Sequence, residues 1–229
     1  MRAILLAAGL GTRLRPLTDN IPKCLVPIKG RPLLEIWLEK LVDAKVGPFL
    51  VNTHYLADQV EAFIRSSVFA SQVTIVNETK LLGTAGTLLA NSSFCDNEDV
   101  MLIHADNYCQ ANFEEFQAAH LSRPKECLMT MMTFRSSDPS SCGIVEVDKN
   151  GVLKNFIEKP SNPPGNLANG AIYILSGPLI AYIGNNFPKA IDFSLDILPN
   201  LMGKIFCYET KELFIDIGTL ERYQIASKS

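Results

Sequence analysis

The sequence predicts an α/β fold in three layers, a mixed and mainly parallel β-sheet with helices on both faces. Three observations carry this. Short apolar runs alternate with longer amphipathic ones through the first half, the pattern of strand–helix–strand units. The first of these runs opens directly into a glycine-rich turn. At 229 residues, with 47% apolar and 20% charged residues, the chain suits one sizeable domain that buries a core without disulfide or metal staples.

Each element has a local reason. Ala3–Ala7, Phe49–Asn52, Val73–Val76 and Val100–His104 are largely apolar runs too short for helices, so they read as buried strands. Pro32 opens a helical pattern that sets Leu33, Ile36, Trp37, Leu41 and Val42 on one face. Asp58–Ile64 and Asn112–His120 add two amphipathic helices. After Cys127 the pattern changes: Leu128–Phe134, Gly143–Val147 and Val152–Ile157 are strand-like, and Asp148-Lys149-Asn150-Gly151 is a turn that makes the last two a hairpin. Ser161–Gly165 is a surface loop and Ala171–Leu175 a strand. Gly177–Ile183 and Leu195–Met202 read as helices, Ile205–Tyr208 and Leu213–Ile217 as short strands, and a closing helix starts at Leu220. No repeat or linker divides the chain, so one domain over 1–229 is expected, with its site outside the carboxyl ends of the strands.

Composition excludes several functions. A net charge of −3 gives no general attraction to nucleic acid or to an anionic membrane, so a polyanion must be met by locally placed cations. A small phosphorylated ligand suits that better than DNA. No apolar run approaches the ~18–20 residues of a membrane span, and the first run is too short for a signal-peptide core, so a cytoplasmic location is expected. Cys24, Cys95, Cys109, Cys127, Cys142 and Cys207 show no C-x-x-C spacing and read as reduced thiols. His54, His104 and His120 form no triad or metal pattern.

Gly9-Leu10-Gly11-Thr12-Arg13 follows the first strand. Glycines there permit positive φ and close backbone approach, so several N–H groups can face one anion. Two commoner phosphate loops are excluded. A dinucleotide fingerprint needs a small residue where Leu14 stands and an acid after the second strand, which ends Val51-Asn52-Thr53-His54. A Walker loop needs Gly-Lys followed by Ser or Thr, and the chain has none. What remains is a glycine turn with Arg13, Arg15 and Lys23 close behind.

The run from Leu6 to Thr18, Leu-Ala-Ala-Gly-Leu-Gly-Thr-Arg-Leu-Arg-Pro-Leu-Thr, followed by Pro22-Lys23-Cys24-Leu25-Val26-Pro27-Ile28, closely resembles the signature of the sugar-1-phosphate nucleotidyltransferases, the sugar nucleotide pyrophosphorylases. Leu82-Gly83-Thr84-Ala85-Gly86, His104-Ala105-Asp106-Asn107, Glu158-Lys159-Pro160, Asn169-Gly170-Ala171-Ile172-Tyr173 and Phe214-Ile215-Asp216-Ile217-Gly218-Thr219 are similar to the later family motifs, in the family's order. The resemblance covers nearly the whole chain. It implies a Rossmann-like fold of the nucleotide-diphospho-sugar transferase type, with residues 1–110 mainly serving the nucleotide and 111–229 mainly the sugar phosphate. It also implies an enzyme in which a sugar 1-phosphate attacks the α-phosphorus of a nucleoside triphosphate and displaces pyrophosphate.

The resemblance gives residues their expected roles. Arg13 would grip the β- and γ-phosphates and Lys23 would sit by the α-phosphate; alone, each would read as a surface cation. Arg15 reads either as a second phosphate contact or as surface charge. Leu6, Ala8, Gly9, Gly11 and Thr12 would line the nucleotide, and the segment from Glu78 to Gly83 the base. Glu78 reads either as an acceptor for guanine N1–H and N2 or as an exposed loop acid. Asp106 and Asp216 each end an apolar run, so together they could share one Mg²⁺. For the sugar phosphate, Gly143 would lend an N–H, Glu158 would accept from hydroxyls, Lys159 would meet the phosphate and Asn169 would reach a hydroxyl. Asn107 would join them or only orient its loop.

The expected substrates are GTP with mannose 1-phosphate or a heptose 1-phosphate. Uridylyl-, thymidylyl- and cytidylyltransferases of the same core, including types that activate a muramic acid phosphate or phosphocholine, stay open as alternatives. So does a non-catalytic regulatory homologue that binds a sugar nucleotide. The chain stops soon after the Asp216 motif, so no hexapeptide-repeat β-helix is expected. An exposed sheet edge in the second half would support a homodimer.

Overall fold

A computed structural model describes residues Met1–Ser229. From the N-terminus come β1 (Arg2–Leu6), β2 (Pro27–Ile28), β3 (Arg31–Pro32), α1 (Leu33–Asp43), β4 (Phe49–Thr53), α2 (Ala57–Ser66) and β5 (Val73–Asn77). Then follow α3 (Gly83–Ala90), α4 (Ser92–Cys95), β6 (Val100–His104), β7 (Asn107–Cys109), α5 (Phe113–Leu121) and β8 (Met129–Arg135). The remainder is β9 (Gly143–Val147), β10 (Leu153–Glu158), β11 (Leu167–Leu175), α6 (Gly177–Asn186), β12 (Ile205–Glu209), β13 (Phe214–Asp216) and α7 (Leu220–Lys228). The sheet is mixed, mostly parallel early in the chain, and helices accompany it, as the sequence predicts.

The chain forms two compact units that interleave in sequence, one from Met1–Leu81, Ile103–Gln110 and Leu213–Ser229, the other from Leu82–Leu102 and Ala111–Glu212. In the first, β1 pairs in parallel with β4, from Ala3 opposite Phe49 to Leu6 opposite Asn52. β4 in turn pairs in parallel with β5. β13 pairs antiparallel with β7, placing Asp216 opposite Asn107. Ile4, Leu5, Leu33, Leu34, Trp37 and Phe49 are fully or almost fully buried, which is why the strands are apolar without alternation. Trp37 lies on the predicted face of α1, and its indole N–H donates to the Asn107 carbonyl at 2.9 Å, satisfying the one polar atom of a buried ring.

In the second unit, β9 and β10 form the predicted hairpin with Gly143 opposite Glu158. β11 pairs antiparallel with β8 and touches β9 at Ala168 opposite Ile144. β12 lies parallel to β8. Met129, Met131, Tyr173, Phe193 and Ile197 are core. β11 begins earlier than predicted, at Leu167, and its register with β8 shifts between Asn169 and Tyr173. Ala171 sits there with φ 52°, a bulge that interrupts the period-2 pattern.

Two helical expectations need correction. Leu195–Met202 is not an α-helix: a π-turn over Phe193–Ile197 gives way to a 3-10 turn over Leu198–Leu201. The Asp192 carboxylate caps the first by accepting from the Ser194 and Leu195 amides, and Pro199 has no N–H with which to extend an α-ladder. Conversely, α3 forms where no helix was predicted. Its N-terminus is satisfied from afar, the Ile191 carbonyl accepting from the Ala85 and Gly86 amides at 2.9 and 3.4 Å. Gly83, at φ 77°, admits that carbonyl, which would lie 2.4 Å from an added Cβ. All six cysteines are free, and no helix is long and apolar enough to cross a membrane.

Candidate active site

The glycine turn is built by its two ends. At the first, β1 stops at Leu6, whose carbonyl accepts from the Ala105 amide at 3.1 Å, while the next amide, Ala7, donates to Asn52 Oδ1 at 2.7 Å. At the second, Gly11 takes φ 63°, and its carbonyl accepts from the Thr18 hydroxyl at 2.7 Å and the Leu14 amide at 2.9 Å. An added Cβ on Gly11 would stand 3.0 Å from Thr18 Cγ2, so both conformation and space call for glycine. Leu14, which breaks the dinucleotide fingerprint, is 1% exposed and anchors the turn. Between these anchors, Gly9 has nothing within 4 Å of its Cβ position.

Residues Gly9 to Leu14 line a cavity of about 270 Å³ together with Lys23, Asp106 and Gly218. Pro22 is extended and releases the chain into a 3-10 turn over Lys23–Leu25, which buries Lys23 to 6% exposure. Its ammonium nitrogen lies 2.7 Å from Asp106 Oδ2. Burial alone would raise the pKa of the Asp106 carboxyl. The Lys23 charge, His104 and the Lys23 hydrogen bond outweigh that and hold it below the usual carboxylate range. Burial pushes the neighbouring Cys24 thiol up to about 12, so it is no nucleophile at neutral pH.

Arg13 is exposed beside the same cavity. Its Nη1 and both Asp216 carboxylate oxygens lie 3.3 Å from where a Gly218 Cβ would be, so the side chains converge over that glycine. No group of three or more His, Cys, Asp or Glu side chains gathers anywhere to form a closed cage. Asp106 lines the cavity and Asp216 lies by Gly218, which lines it too, and both offer the hard oxygen ligands of which Mg²⁺ takes one or two from a protein.

Glu78 follows β5 and is 5% exposed, so it is not an exposed loop acid. Its Oε1 accepts from Asn52 Nδ2 at 2.9 Å, and its carbonyl accepts from His54 Nδ1 at 2.7 Å. A carboxylate so covered presents little surface to a base. Asn107 belongs to the first unit and is 6% exposed within the β7–β13 ladder.

The second unit gathers the other sugar-phosphate candidates. An added Cβ on Gly143 would stand 2.7 Å from the Phe156 ring and 2.8 Å from Glu158 Oε2, so glycine is what lets that carboxylate lie over β9. Lys159, with φ 45°, donates its amide to the Cys142 carbonyl at 3.0 Å and leaves its exposed ammonium 3.4 Å from Glu158 Oε1. Asn169 pins the β11 bulge: Oδ1 accepts from the Ala171 amide at 2.8 Å, and Nδ2 donates to the Tyr173 hydroxyl at 2.7 Å. Burial, the largest influence, pushes the Tyr173 phenol up to about 12, so it stays protonated. Gly83 lies at the head of α3.

Sequence reasoning missed Asn52, Gly218 and Tyr173. Each left a signal without a role: Gly218 and Tyr173 lie within the quoted motifs, and Asn52 is a polar side chain closing an otherwise apolar strand.

The site is a glycine turn backed by cations, with carboxylates at the ends of strands, in an α/β protein. The chain belongs to the nucleotidyl transferase family, whose model matches residues 2–229. Among its relatives, the mannose-1-phosphate guanylyltransferase catalytic subunit beta of Drosophila melanogaster is 33% identical over 227 residues, covering 95% of this chain and 59% of its own. This chain spans 59% to 61% of the length of such curated relatives. The crystal structure of HddC from Yersinia pseudotuberculosis complexed with GMP-PN superposes with a TM-score of 0.82 at 28% identity, covering 99% of this chain and 98% of that one. A Bacillus anthracis structure in complex with sucrose shares the fold, with a TM-score of 0.88 at 24% identity over 100% of this chain and 94% of its own.

Proposed function

We propose that this chain transfers a nucleotidyl group from a nucleoside triphosphate to a sugar 1-phosphate, releasing pyrophosphate, with GTP and mannose 1-phosphate or a heptose 1-phosphate as the preferred pair. The observation that carries the reading is the pairing of buried Lys23 with Asp106 beside the glycine turn. A phosphate oxygen of the sugar substrate attacks the α-phosphorus, the bond to the α–β bridging oxygen breaks, and pyrophosphate departs with the negative charge. Such a transfer needs mainly alignment and charge neutralisation.

Lys23, fixed through one N–H by Asp106, has further N–H groups for the α-phosphate oxygens. Arg13 takes the leaving β- and γ-phosphates, and the backbone at Leu6, Ala8, Gly9, Gly11 and Thr12 follows the nucleotide. Gly143, Glu158, Lys159 and Asn169 receive the sugar phosphate, Asn169 also holding the bulge that presents it. Asp106 and Asp216 would hold Mg²⁺, which neutralises phosphate charge when bound. The guanine preference rests on the names of the relatives. Both substrates are polyanions, which suits a cytoplasmic location.

A matrix of nucleoside triphosphates against sugar 1-phosphates, read by pyrophosphate release with Mg²⁺, tests this. GTP with mannose 1-phosphate or a heptose 1-phosphate should give the highest rate. Nucleotide binding without turnover on any pair would instead make the chain a regulatory binder.

A further inference from the structure

We propose that Asn52 is a positioning residue for the nucleotide turn, acting through a hydrogen-bond relay from Ala7 to Glu78. The inference rests on the reading above that this turn holds the triphosphate. The β1–β4 register ends with Leu6 opposite Asn52, and the next amide, Ala7, passes to a side chain instead of a strand carbonyl. That amide can only donate, so the Asn52 carboxamide must face it with Oδ1 and turn Nδ2 toward Glu78 Oε1, 2.9 Å away. Asn52 is 3% exposed and Glu78 5%, so solvent cannot readily substitute for either partner.

What this relay fixes follows from the turn's packing. Gly11 is locked by Thr18 and Leu14, but Gly9 has nothing within 4 Å of its Cβ position. The first half of the turn is therefore held by the burial of Ala7 and Ala8 and by the one side-chain bond from Asn52 to the Ala7 amide. A buried acid at residue 78 then serves as the far anchor of the turn, and its loss affects any nucleotide whatever the base.

The test measures equilibrium binding of GTP and of UTP with Mg²⁺, without sugar phosphate, to wild type, E78Q, N52A/E78Q and N52D/E78Q. The new amide in E78Q can still accept from Asn52, so its relay survives. N52A/E78Q cuts the relay without stranding a buried charge, and should bind both nucleotides about tenfold more weakly than E78Q, since small misplacements of binding groups are costly. In N52D/E78Q the new carboxylate accepts from both the Ala7 amide and the new amide at 78, and affinity should return to within about threefold of E78Q.

The proposal is overturned if N52A/E78Q binds like E78Q, whatever its melting temperature. It is also overturned if only GTP binding weakens, which would make residue 52 act through the base. A third contrary result is N52D/E78Q staying as weak as N52A/E78Q while melting like E78Q. Wild-type protein that binds neither nucleotide removes the underlying reading and the relay's role with it, whereas binding without turnover removes only the transfer reaction.

Discussion

The ammonium nitrogen of Lys23 lies 2.7 Å from Oδ2 of Asp106, yet the two side chains differ in exposure, 7% against 38%. Loss of either partner is therefore not equivalent. Asp106→Ala strands an ammonium inside the protein and should cost about 3 kcal/mol, as for other broken buried pairs. Lys23→Ala frees a carboxylate that water can reach and should cost about 1 kcal/mol. On the proposed function both should lower pyrophosphate release at least about a hundredfold, Lys23→Ala because it removes a cation from the α-phosphate, Asp106→Ala because it removes that cation's anchor and a proposed Mg²⁺ ligand. Urea unfolding beside rate measurements checks the order; Lys23→Ala being the less stable variant would contradict the pairing.

His120 predicts an acid-sensitive fold. It is fully buried on α5, its Nε2–H donating to Asp99 at 3.3 Å and its Nδ1 accepting from the Thr130 hydroxyl at 2.8 Å. Burial first, then the Arg123 charge, lowers its pKa to about 4 against the ordinary 6.5, with Asp99 opposing. The unfolded chain thus takes up the proton first as pH falls. Stability is full above the unfolded pKa, declines below it and levels off below the folded one, a loss of about 2 kcal/mol between pH 7 and pH 5. Denaturation curves at the two pH values should show a smaller difference in His120→Gln, and an unchanged difference would refute the assignment.

Gly143→Ala should act on one substrate. Its Cβ would strike the Phe156 ring and the Glu158 carboxylate at 2.7 and 2.8 Å, so both must move. We expect a stability loss of about 1–3 kcal/mol and a KM for the sugar phosphate raised about tenfold. The KM for the nucleoside triphosphate should stay near its original value. An equal rise in both would detach Glu158 from the sugar phosphate.

The two carboxylates give a metal prediction. A chelator should abolish turnover, and Asp216→Asn should raise the Mg²⁺ concentration for half-maximal rate by about tenfold, one hard ligand having become a weaker one. Unchanged Mg²⁺ dependence in that variant would remove Asp216 from the metal site.

Much of the fold was legible because the strands β1, β4 and β6 are covered on both sides, so their sequences are apolar throughout and end at polar residues that matter. Asp106 could be found that way. What escaped reading depends on distance along the chain. α3 carries two glycines and is capped by a carbonyl at Ile191, so nothing local announces it. The Lys23–Asp106 pair spans 83 residues and the Asn52 contacts 45 and 26, and no periodicity encodes such partners. The misread helix at Leu195–Met202 had its breaker in view, Pro199, but its apolar spacing imitated a helical face.

The interleaving of the two units constrains how the protein is made. The unit that begins at Met1 takes β13 and α7 from Leu213–Ser229, and Asp216 arrives only with that last segment. Emerging from the ribosome, β1 and its turn can pair with β4 and β5 at once, but β7 must wait for β13 across more than a hundred intervening residues. Closing so long a loop is entropically slow and leaves a strand edge exposed meanwhile. The glycine turn can thus form long before the Asp216 carboxylate is in place beside Gly218.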